Sequence, residues 1–392
     1  MSRILMLVAT SVATDTRVLR EARTLVDAGH TVHIIGRSVP EGFDAGPGIT
    51  VSSVGTSSVF RSEGKPSLAG KRLPPHTRLA RWLLLPEHRR SSFGRWAAGA
   101  VKDAQGREFD VVHAHDFTAL AAGDQLARER GVPLVYDSHE LWTGLPREFR
   151  PTPLADAKEK RIEAECGSRA SAIITVGDGV ADALKDVHGW RDVTVVRNTF
   201  PLSGEPPVVP AEPTGLVYAG RIAAYRELEA IAAASRQVDL PITMCGPADK
   251  TWLTSFDPGR VTVLGALPLE EASALMSAAG LALVTHSDKW TNHRLALPNK
   301  LFHAVSLGLP VVATDIGELA KVVRKHDLGT LYKPGDPDDL VRAIRSAVAD
   351  FGRYVCNVEA ARPALCWDAD AARLRAVYEK LASDGRGEGS RG

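Results

Sequence analysis

Asn299 and Lys300 are the residues of this chain whose types and position most directly indicate chemistry. They follow Pro298 at the predicted start of a helix, so an amide and a cation lie where backbone N–H groups lack intrahelical partners. The helix dipole and these free N–H groups favour an anion. The stretch therefore predicts a binding site for a phosphate-bearing ligand.

A helix and a buried strand must position this pair. Leu301, Phe302 and Val305 recur at helical spacing, and Gly308 is the predicted helix end. Residues 309–313 form an apolar, β-branched run that is typical of a strand buried on both faces. Open parallel sheets bind ligands at the carboxyl ends of their strands, so the segment after this run is expected to line the site.

Two histidines end an earlier predicted strand and form a second group. Alternation along a strand places His113 and His115 on one face, and Asp116 follows them. A lone strand histidine is usually structural, whereas two beside a carboxylate favour a functional role. Both interpretations stay open, and the two histidines are candidates for contact with a substrate.

A polar run ends the next predicted strand and also has two interpretations. Asp137, His139 and Glu140 belong to it. These side chains either bind acceptor hydroxyl groups or cap the helix that is predicted after Leu141. Asp15, at the end of the first strand, has the same ambiguity, because it also suits the N-cap of the following helix.

Apolar runs alternate with amphipathic helical stretches, which predicts parallel α/β sheets. The predicted strands of the first half are 4–9, 31–36, 111–114, 134–137, 172–176 and 193–197. Those of the second half are 216–219, 242–245, 261–264, 281–285 and 310–313, and helices are predicted at 338–349 and 371–382. The fold class is therefore α/β, with two Rossmann-like parallel-sheet domains whose strand ends are expected to face a cleft.

Six motifs run through most of the chain, and each is weak alone. They are DTRVLREARTLVDAGHTV at 15–32, DVVHAHD at 110–116, VYDSHE at 135–140, YAGR at 218–221, TNHRLALPNKLFHAVSLGLPVVATDIGE at 291–318 and an aromatic-bearing helix after Trp367. Together, and in this order, they resemble the motifs of nucleotide-sugar glycosyltransferases of the GT-B fold, most closely the retaining enzymes of family 4.

The predicted domain boundaries follow from composition and from this resemblance. A chain of 392 residues suits two domains. Residues 1–198 are expected to form an acceptor domain, 199–215 a Pro-rich linker and 216–362 a donor domain. Residues 363–382 are expected to contain a helix that crosses back to the first domain, and 383–392 to form a disordered tail.

The resemblance implies that Arg221 and Arg226 hold the donor diphosphate beside Gly220. Arg226 stands where the family has a lysine, and Glu227 stands where a glycine is usual. An arginine keeps its charge at neutral pH, so two cations would stabilise a leaving diphosphate without a metal. The alternative is that both arginines lie on the surface of a helix.

The implied donor site includes other residues of the second half. They are Gly246, Gly265, Asn299, Lys300 and His303. The two glycines have the alternative of serving turns only. His303 and Leu295 stand where the family has the two glutamates of its Glu-x7-Glu motif. An imidazole still accepts one hydrogen bond, so His303 either contacts the donor or is simply a helix histidine whose hydrogen bonds are satisfied.

The resemblance also implies roles for the first half. His115 is expected to contact the transferred sugar, with His113 as the second choice. The expected acceptor-binding residues are Asp15, Asp116, Asp137, His139 and Glu140. The mechanism implied is retaining, and the leaving diphosphate itself takes the acceptor proton.

Bulk properties exclude several function classes. The net charge of +1 argues against a global nucleic-acid role. Four scattered cysteines predict a reducing compartment, hence the cytoplasm, and no structural zinc. No segment approaches the ~20 apolar residues that cross a bilayer. Metal-ligand spacings are also missing from the sequence, so neither metal nor cofactor is expected.

Residues 71–96 interleave basic residues with aromatic and leucine residues. This pattern suits an anionic membrane surface, which would be the inner face, or an anionic acceptor. The alternative is an irregular insertion that covers the first domain and leaves its arginines solvated.

The sequence thus predicts a glycosyltransferase that uses a nucleotide-diphosphate sugar and a hydroxyl acceptor, such as a bacterial-type glycan, a lipid-linked acceptor or a natural product. Two other hypotheses stay open. One is a GT-B-fold nucleotide-sugar epimerase. The other is a catalytically degenerate subunit that binds a partner or a membrane, which the replacement of both family glutamates by Leu295 and His303 suggests.

Overall fold

The computed structural model describes residues 1–55, 93–145, 153–202 and 208–388. Contacts divide the chain into two compact units. The first comprises Met1–Thr175, Leu184–Thr194 and Leu374–Gly392, and the second comprises Val176–Ala183 and Val195–Arg373. Each unit is built around one parallel sheet.

The sheet of the first unit has seven described strands in the order β3-β2-β1-β4-β5-β6-β7. Strands β1 to β6 pair in parallel. Apolar runs such as RILMLV in β1 suit strands that are covered on both faces. The bounds are β1 Arg3–Val8, β2 Thr31–Gly36, β3 Ile49–Ser53, β4 Val111–His115, β5 Leu134–Ser138, β6 Ala172–Thr175 and β7 Val193–Val195.

The sheet of the second unit has six described strands, all parallel, in the order β10-β9-β8-β11-β12-β13. Its central strands β8, β11 and β12 carry the loops that matter for the site. The bounds are β8 Gly215–Ala219, β9 Ile242–Cys245, β10 Thr262–Val263, β11 Gly280–Val284, β12 Val311–Thr314 and β13 Gly329–Tyr332.

Helices alternate with these strands. The first five are α1 Thr16–Asp27, α2 over 93–104, α3 Asp116–Arg130, α4 Pro153–Gly167 and α5 Asp178–His188. The others are α6 Leu228–Ala234, α7 Lys250–Leu253, α8 Leu269–Ala279, α9 Thr291–Leu295, α10 Asn299–Ser306, α11 Gly317–His326, α12 Pro337–Ala349, α13 Phe351–Ala361 and α14 Trp367–Glu388. None of the described helices combines the length and apolar character that a membrane crossing requires.

The predicted α/β class is confirmed, since each unit is built around one parallel sheet with helices between its strands. Two edge strands, β3 and β13, were not predicted. Their sequences, ITVSS and GTLY, are short and mix polar or glycine residues with apolar ones, so they lack the apolar run of a central strand. The boundary of the predicted tail is corrected, because α14 continues beyond residue 383 to Glu388. Extending an existing helix requires no new nucleus.

Asp370, in the first turns of α14, anchors the segment that follows β7. Its buried carboxylate accepts hydrogen bonds from the backbone N–H and Nε of Arg197 at 3.2 and 3.1 Å. Thr199 Oγ1 donates to it at 2.8 Å. Asp370 is fully buried, whereas Asp368, two residues earlier on the same helix, is exposed.

Replacing Asp370 with alanine is expected to lower the free energy of unfolding by about 3–5 kcal/mol. The reason is that Arg197, whose side chain is only 12% exposed, loses its carboxylate partner. Asp368→Ala, two residues away on the same helix, is the matched control and is expected to stay within about 0.5 kcal/mol of the unmodified protein. Urea unfolding compares the two variants, and equal effects would contradict this role for Asp370.

Candidate functional site

The loops after β8, β11 and β12 of the second unit hold a group of basic side chains. Arg226 lies in a 3₁₀ turn after β8, and Lys300 lies in the first turn of α10. His286 directly follows the loop residue Thr285 after β11, and His293 lies in α9. We call Arg226, His286, His293 and Lys300 the basic cluster.

Aromatic rings cover the charged members of the basic cluster. The Nζ of Lys300 lies 5.2 Å from the centroid of the Tyr218 ring, and the Cζ of Arg226 lies 4.8 Å from that of Tyr225. Both geometries fall within the range of cation–π interactions. Trp290 continues this wall, since its ring centroid is 5.9 Å from that of Tyr225.

Burial and mutual repulsion oppose positive charge in the basic cluster. Burial, with a further contribution from Arg226, lowers the pKa of Lys300 to about 7. Burial, with contributions from Lys300, His293 and Arg226, lowers the pKa of His286 to about 2. Among the described residues, Arg226 and Lys300 form no ion pair with a carboxylate, and Arg226 Nε is buried without a hydrogen-bond partner. An anion would relieve this imbalance.

The two arginines implied by the resemblance differ in their surroundings. Arg226 is partly buried within the basic cluster, whereas Arg221 is exposed. The carbonyl oxygen of Arg221 accepts a hydrogen bond from Tyr218 Oη at 2.8 Å, which fixes its backbone. Glu227 has a left-handed φ of +57°, which explains on steric grounds why glycine suits this position. The positive charge of Arg226 acts on Lys300, so these two side chains belong to one group. Diphosphate binding by Arg221 stays a prediction.

Gly220 and Gly246 bring the backbone of two strand ends close together. Gly246 has a φ of +142°, and a Cβ there would lie 2.1 Å from the carbonyl oxygen of Gly220. A Cβ on Gly220 would lie 3.3 Å from Lys300 Nζ. Gly265 accepts a hydrogen bond from the Gly246 N–H at 3.0 Å, but a Cβ on Gly265 would meet open space. Of these three glycines, Gly220 is the one where an added Cβ is shown to approach a member of the basic cluster. Donor binding at Gly246 and Gly265 stays a prediction.

Gly246→Ala is expected to destabilise the second unit by about 1–3 kcal/mol, because the substitution is strained and clashes with backbone. Gly265→Ala is a matched control in the hydrogen-bonded neighbour and is expected to change stability by less than about 0.5 kcal/mol. Denaturant unfolding of both variants measures the difference. A stable Gly246→Ala protein would show that the backbone approach is not required.

The other predicted donor residues make contacts within the second unit. Asn299 is exposed, and its Oδ1 accepts a hydrogen bond from Asn198 Nδ2 at 2.9 Å. His303 is buried, with its Nε2 2.8 Å from Ser273 Oγ and its ring stacked on Phe200. These contacts match the alternative of a histidine satisfied within the fold. Donor binding by Asn299 and His303 stays a prediction.

His286, His293 and Trp290 were not singled out from the sequence. Their rings meet edge to face, with centroids 4.8 Å apart for the two histidines and 4.7 Å apart for His293 and Trp290. Two signals were present in the sequence: all three residues follow the predicted strand at 281–285, and His293 lies within the motif at 291–318. Ring contacts between a loop and the short helix α9 leave no periodic pattern.

The first unit has a second group of polar side chains, at the ends of β4 and β5. His113 and His115 lie on one face, as predicted, with stacked rings whose centroids are 4.3 Å apart. Both are fully buried. His113 Nδ1 lies 2.9 Å from Tyr378 Oη of α14. Burial, with a further contribution from His115, holds the pKa of His113 well below its ordinary value.

Asp137 is the buried centre of this group. Arg17 donates to its two carboxylate oxygens from Nε at 2.9 Å and from Nη2 at 2.8 Å. His115 Nδ1 and His139 Nε2 lie 3.1 and 2.9 Å from Oδ2. Burial alone would raise the pKa of Asp137, but Arg17 and His139 hold it well below its ordinary value. Neither Arg17 nor its pairing with Asp137 was predicted, because 120 residues separate them.

His139 and Asp116 are the partly exposed members of this group. Their side chains are 19% and 27% exposed, and His139 Nδ1 lies 3.3 Å from Asp116 Oδ2. Asp116 has a left-handed φ of +62°, and its Oδ1 accepts the backbone N–H of His139 at 3.0 Å. Burial, with a further contribution from Asp116, raises the pKa of the nearby Glu140 to about 7.

Asp15 acts as the N-cap of α1, which confirms that interpretation. Its Oδ1 accepts the Val18 N–H at 3.2 Å, and its Oδ2 accepts Thr10 Oγ1 at 3.0 Å. An acceptor-binding role for Asp15 stays a prediction. The helix predicted after Leu141 is a short 3₁₀ turn whose N-cap makes no side-chain hydrogen bond, so capping does not explain the polar run at the end of β5.

One group of metal-ligating residue types occurs in the described part of the chain. Glu21, His113, His115 and Asp137 offer atoms that lie within 4.8 Å of one another. Arg17 already supplies a cation there, because its Nη2 lies 3.0 Å from Glu21 and 2.8 Å from Asp137. These buried carboxylates are therefore compensated by an arginine, and metal independence stays a prediction.

Two glycosyltransferase family models match successive parts of the chain. The model of Glycosyltransferase Family 4 matches residues 14–203, and that of Glycosyl transferases group 1 matches residues 213–350. D-inositol 3-phosphate glycosyltransferase 1 of Catenulispora acidiphila is 28% identical over 330 residues, which cover 75% of this chain and 77% of that protein. Glycogen synthase of Mycobacterium tuberculosis is 26% identical over 368 residues, which cover 88% and 84%.

Solved structures share the fold. Sucrose-phosphate synthase from Thermosynechococcus elongatus has a TM-score of 0.74 and 17% identity, covering 97% of this chain and 100% of its own. HepE from Anabaena, solved in complex with UDP, has a TM-score of 0.67 and 17% identity with the same coverage. HepE has also been solved in complex with UDP-glucose.

Proposed function

Because this chain is a glycosyltransferase of the GT-B fold that resembles family 4, we propose that it transfers a sugar from a nucleotide-diphosphate sugar to an acceptor hydroxyl group. The observation that carries the choice of donor is that Arg226 and Lys300, two basic side chains, lie together in the basic cluster. Two partly buried cations that lack a carboxylate partner among the described residues suit the two negative charges of a diphosphate. The complexes of the similar HepE with UDP and UDP-glucose support this choice.

The same two cations supply the proposed catalysis. Negative charge grows on the leaving diphosphate as its bond to the sugar breaks. Arg226 and Lys300 are held by the ring contacts with Tyr225 and Tyr218, so they require little reorganisation during the reaction. This arrangement would let the diphosphate leave without a metal ion.

We propose that the reaction retains the configuration of the sugar. The departing phosphate oxygen takes the proton of the acceptor hydroxyl on the face where the new bond forms. This step follows from the resemblance to family 4, and it requires no separate protein base. The product ratio of α- and β-linked glycoside, measured by NMR, tests it directly.

Acceptor hydroxyl groups are proposed to bind at Asp116 and His139 of the first unit. Partial exposure supports this choice, because the fully buried His113 and His115 have no surface to offer in this structure. Glu140 adds a carboxyl group in the same loop. Hydroxyl groups of a glycan, a lipid-linked acceptor or a natural product share the chemistry that these carboxylates recognise.

A cytoplasmic location is also proposed, on the basis of the four unpaired cysteines within the described chain. Most of the predicted membrane-contact segment 71–96 lies outside the described residues, which resume at residue 93. At its described end, Trp96 is fully buried and its Nε1 donates to the Gly36 carbonyl oxygen at 3.3 Å. Trp96 therefore packs inside the first unit and offers no side chain to a membrane.

A panel of nucleotide diphosphates tests the donor proposal. UDP, GDP and dTDP are added to the full chain, and thermal unfolding is followed. The matching nucleotide, at about 100 times its Kd, is expected to stabilise the protein by about 2.7 kcal/mol. Adenosine without phosphate is the control and should have no effect. Failure of all three diphosphates would overturn the donor proposal and favour the degenerate subunit.

A further inference from the structure

His139 has a carboxylate oxygen beside each of its ring nitrogens. Nδ1 lies 3.3 Å from Asp116 Oδ2, and Nε2 lies 2.9 Å from Asp137 Oδ2. An ionised carboxylate only accepts hydrogen bonds, so both ring nitrogens must carry a proton to satisfy this geometry. His139 is then an imidazolium that bridges two acids on different elements.

The inner acid of this bridge is fixed by Arg17. The guanidinium donates to both oxygens of Asp137 in a bidentate pair, and both side chains are almost completely buried. His115 Nδ1 adds a further contact to Oδ2 at 3.1 Å. A buried carboxylate with this many donors is ionised and has one orientation.

The outer acid of the bridge is Asp116, at the start of α3. Its two oxygens face the backbone N–H and the Nδ1 of His139, and its backbone adopts a left-handed φ of +62°. Such backbone strain persists only where surrounding contacts hold it, and it is common at functional sites. Asp116 is also the most exposed member of the bridge, at 27%.

We propose that Arg17, Asp137 and His139 form a positioning chain that holds Asp116, in one orientation, as a hydroxyl-binding carboxylate. The proposal rests on the proposed function, since it assigns how the acceptor-binding carboxylate of the first unit is kept in place. Asp116 touches the substrate hydroxyl, and the other three act through it. His139, with both ring nitrogens donating, has no lone pair with which to act as a base.

Other charged and titratable groups surround His139 and must be considered with it. They are Arg17 and Glu21 of α1, His113 and His115 of β4, Asp116 of α3, Asp137 of β5, Glu140 of its own loop and, beyond His113, Tyr378 of α14. Burial lowers the pKa of His139, but Asp116 and Asp137 outweigh this effect and hold the pKa well above its ordinary value. His139 is thus expected to stay charged across the neutral range.

Histidine-selective ¹³C labelling of the full chain tests the charge of His139 without any substrate. The signal is assigned by its loss in His139→Asn, and its chemical shift is followed from pH 6 to pH 9. We expect the shift of a protonated ring throughout this range. A ring that titrates near pH 6.5, the ordinary value, would overturn the proposal.

Asp137→Asn is the variant that separates a positioning role from a purely structural one. Removal of the inner acid should let the His139 ring titrate near neutral pH. Hydrolysis of the nucleotide sugar that the panel selects is measured with the donor saturating at every pH, so that the pH dependence of donor binding does not contribute. Under this condition the rate should acquire a decline above about pH 6.5, by up to about tenfold per pH unit, that the unmodified protein lacks. If the pH profile of hydrolysis has the same shape in Asp137→Asn and in the unmodified protein, the positioning chain is overturned.

Tyr378→Phe is the matched control. It removes a hydroxyl group that is hydrogen-bonded to His113 in the same buried region, but it leaves every contact of the positioning chain in place. It is expected to keep both the His139 shift and the pH profile of the unmodified protein. The nucleotide thermal shift should also survive in Asp137→Asn, because the basic cluster belongs to the second unit. If the unmodified protein itself shows no thermal shift with any nucleotide diphosphate, that result counts against the donor proposal and not against the positioning chain.

Discussion

Arg226→Ala is expected to lower turnover by about 100- to 1,000-fold and to remove the thermal shift caused by the matching nucleotide diphosphate. Arg226 combines a permanent charge with partial burial and an Nε that lacks a hydrogen-bond partner in the described structure. Removal of this guanidinium takes away hydrogen bonds and charge that stabilise the leaving diphosphate, and this stabilisation matters most when the diphosphate carries its full negative charge. Initial rates of sugar transfer or donor hydrolysis measure the loss.

Two other arginines calibrate this result. Arg236 is an exposed residue of the same unit that pairs with Asp257, and Arg236→Ala is expected to leave turnover unchanged. Arg221→Ala is expected to cost less than Arg226→Ala, because Arg221 is exposed. A larger loss for Arg221 than for Arg226 would show that the basic cluster is not the diphosphate site.

Donor affinity is expected to decline above pH 7, and Lys300 is the cause. Its pKa of about 7 in the free protein means that only about half of the molecules carry this charge at neutral pH. A bound diphosphate favours the charged form and raises the pKa. Affinity should therefore be constant below pH 7 and fall by up to about tenfold per pH unit above it, until the pKa of the bound state is reached.

Titration calorimetry between pH 6 and pH 9 measures this dependence. A nucleotide sugar is the suitable ligand, because its diphosphate has no group that titrates near neutral pH. Lys300→Arg keeps the charge and should flatten the profile, whereas Lys300→Met should weaken binding at every pH. A flat profile in the unmodified protein would contradict the role of Lys300.

The sequence contained enough information for the fold and for the identity of several site residues. Central strands such as β1 and β12 are apolar runs that few other structures accommodate, and the loops that follow them had to lie at one edge of each sheet. Asn299 and Lys300 were placed at a helix start, which the structure confirms for α10. The same side of β4 was correctly predicted to carry both His113 and His115.

The sequence could not predict which candidate site residues are exposed and which are buried, because burial depends on the neighbours of each side chain. Spacing could not show that Arg221 is exposed while Lys300 lies against Gly220 and Tyr218. His303 had two interpretations, and Ser273, which distinguishes them, lies on a different helix.

The positioning chain shows the same limit over a longer distance. Asp137 was predicted at the end of its strand as a candidate acceptor-binding residue, whereas Arg17 was not singled out as a site residue. Their bidentate pairing joins α1 to β5 across 120 residues, and no local pattern encodes a contact of that range.

The position of a bound diphosphate tests the central claim most directly. Crystals of the full chain are soaked with the nucleotide diphosphate that gives the largest thermal shift, and the phosphate density is located. We expect the phosphate oxygens to lie within hydrogen-bond distance of the Arg226 guanidinium and the Lys300 Nζ. Phosphates bound elsewhere, with the basic cluster unchanged, would contradict the proposed donor site.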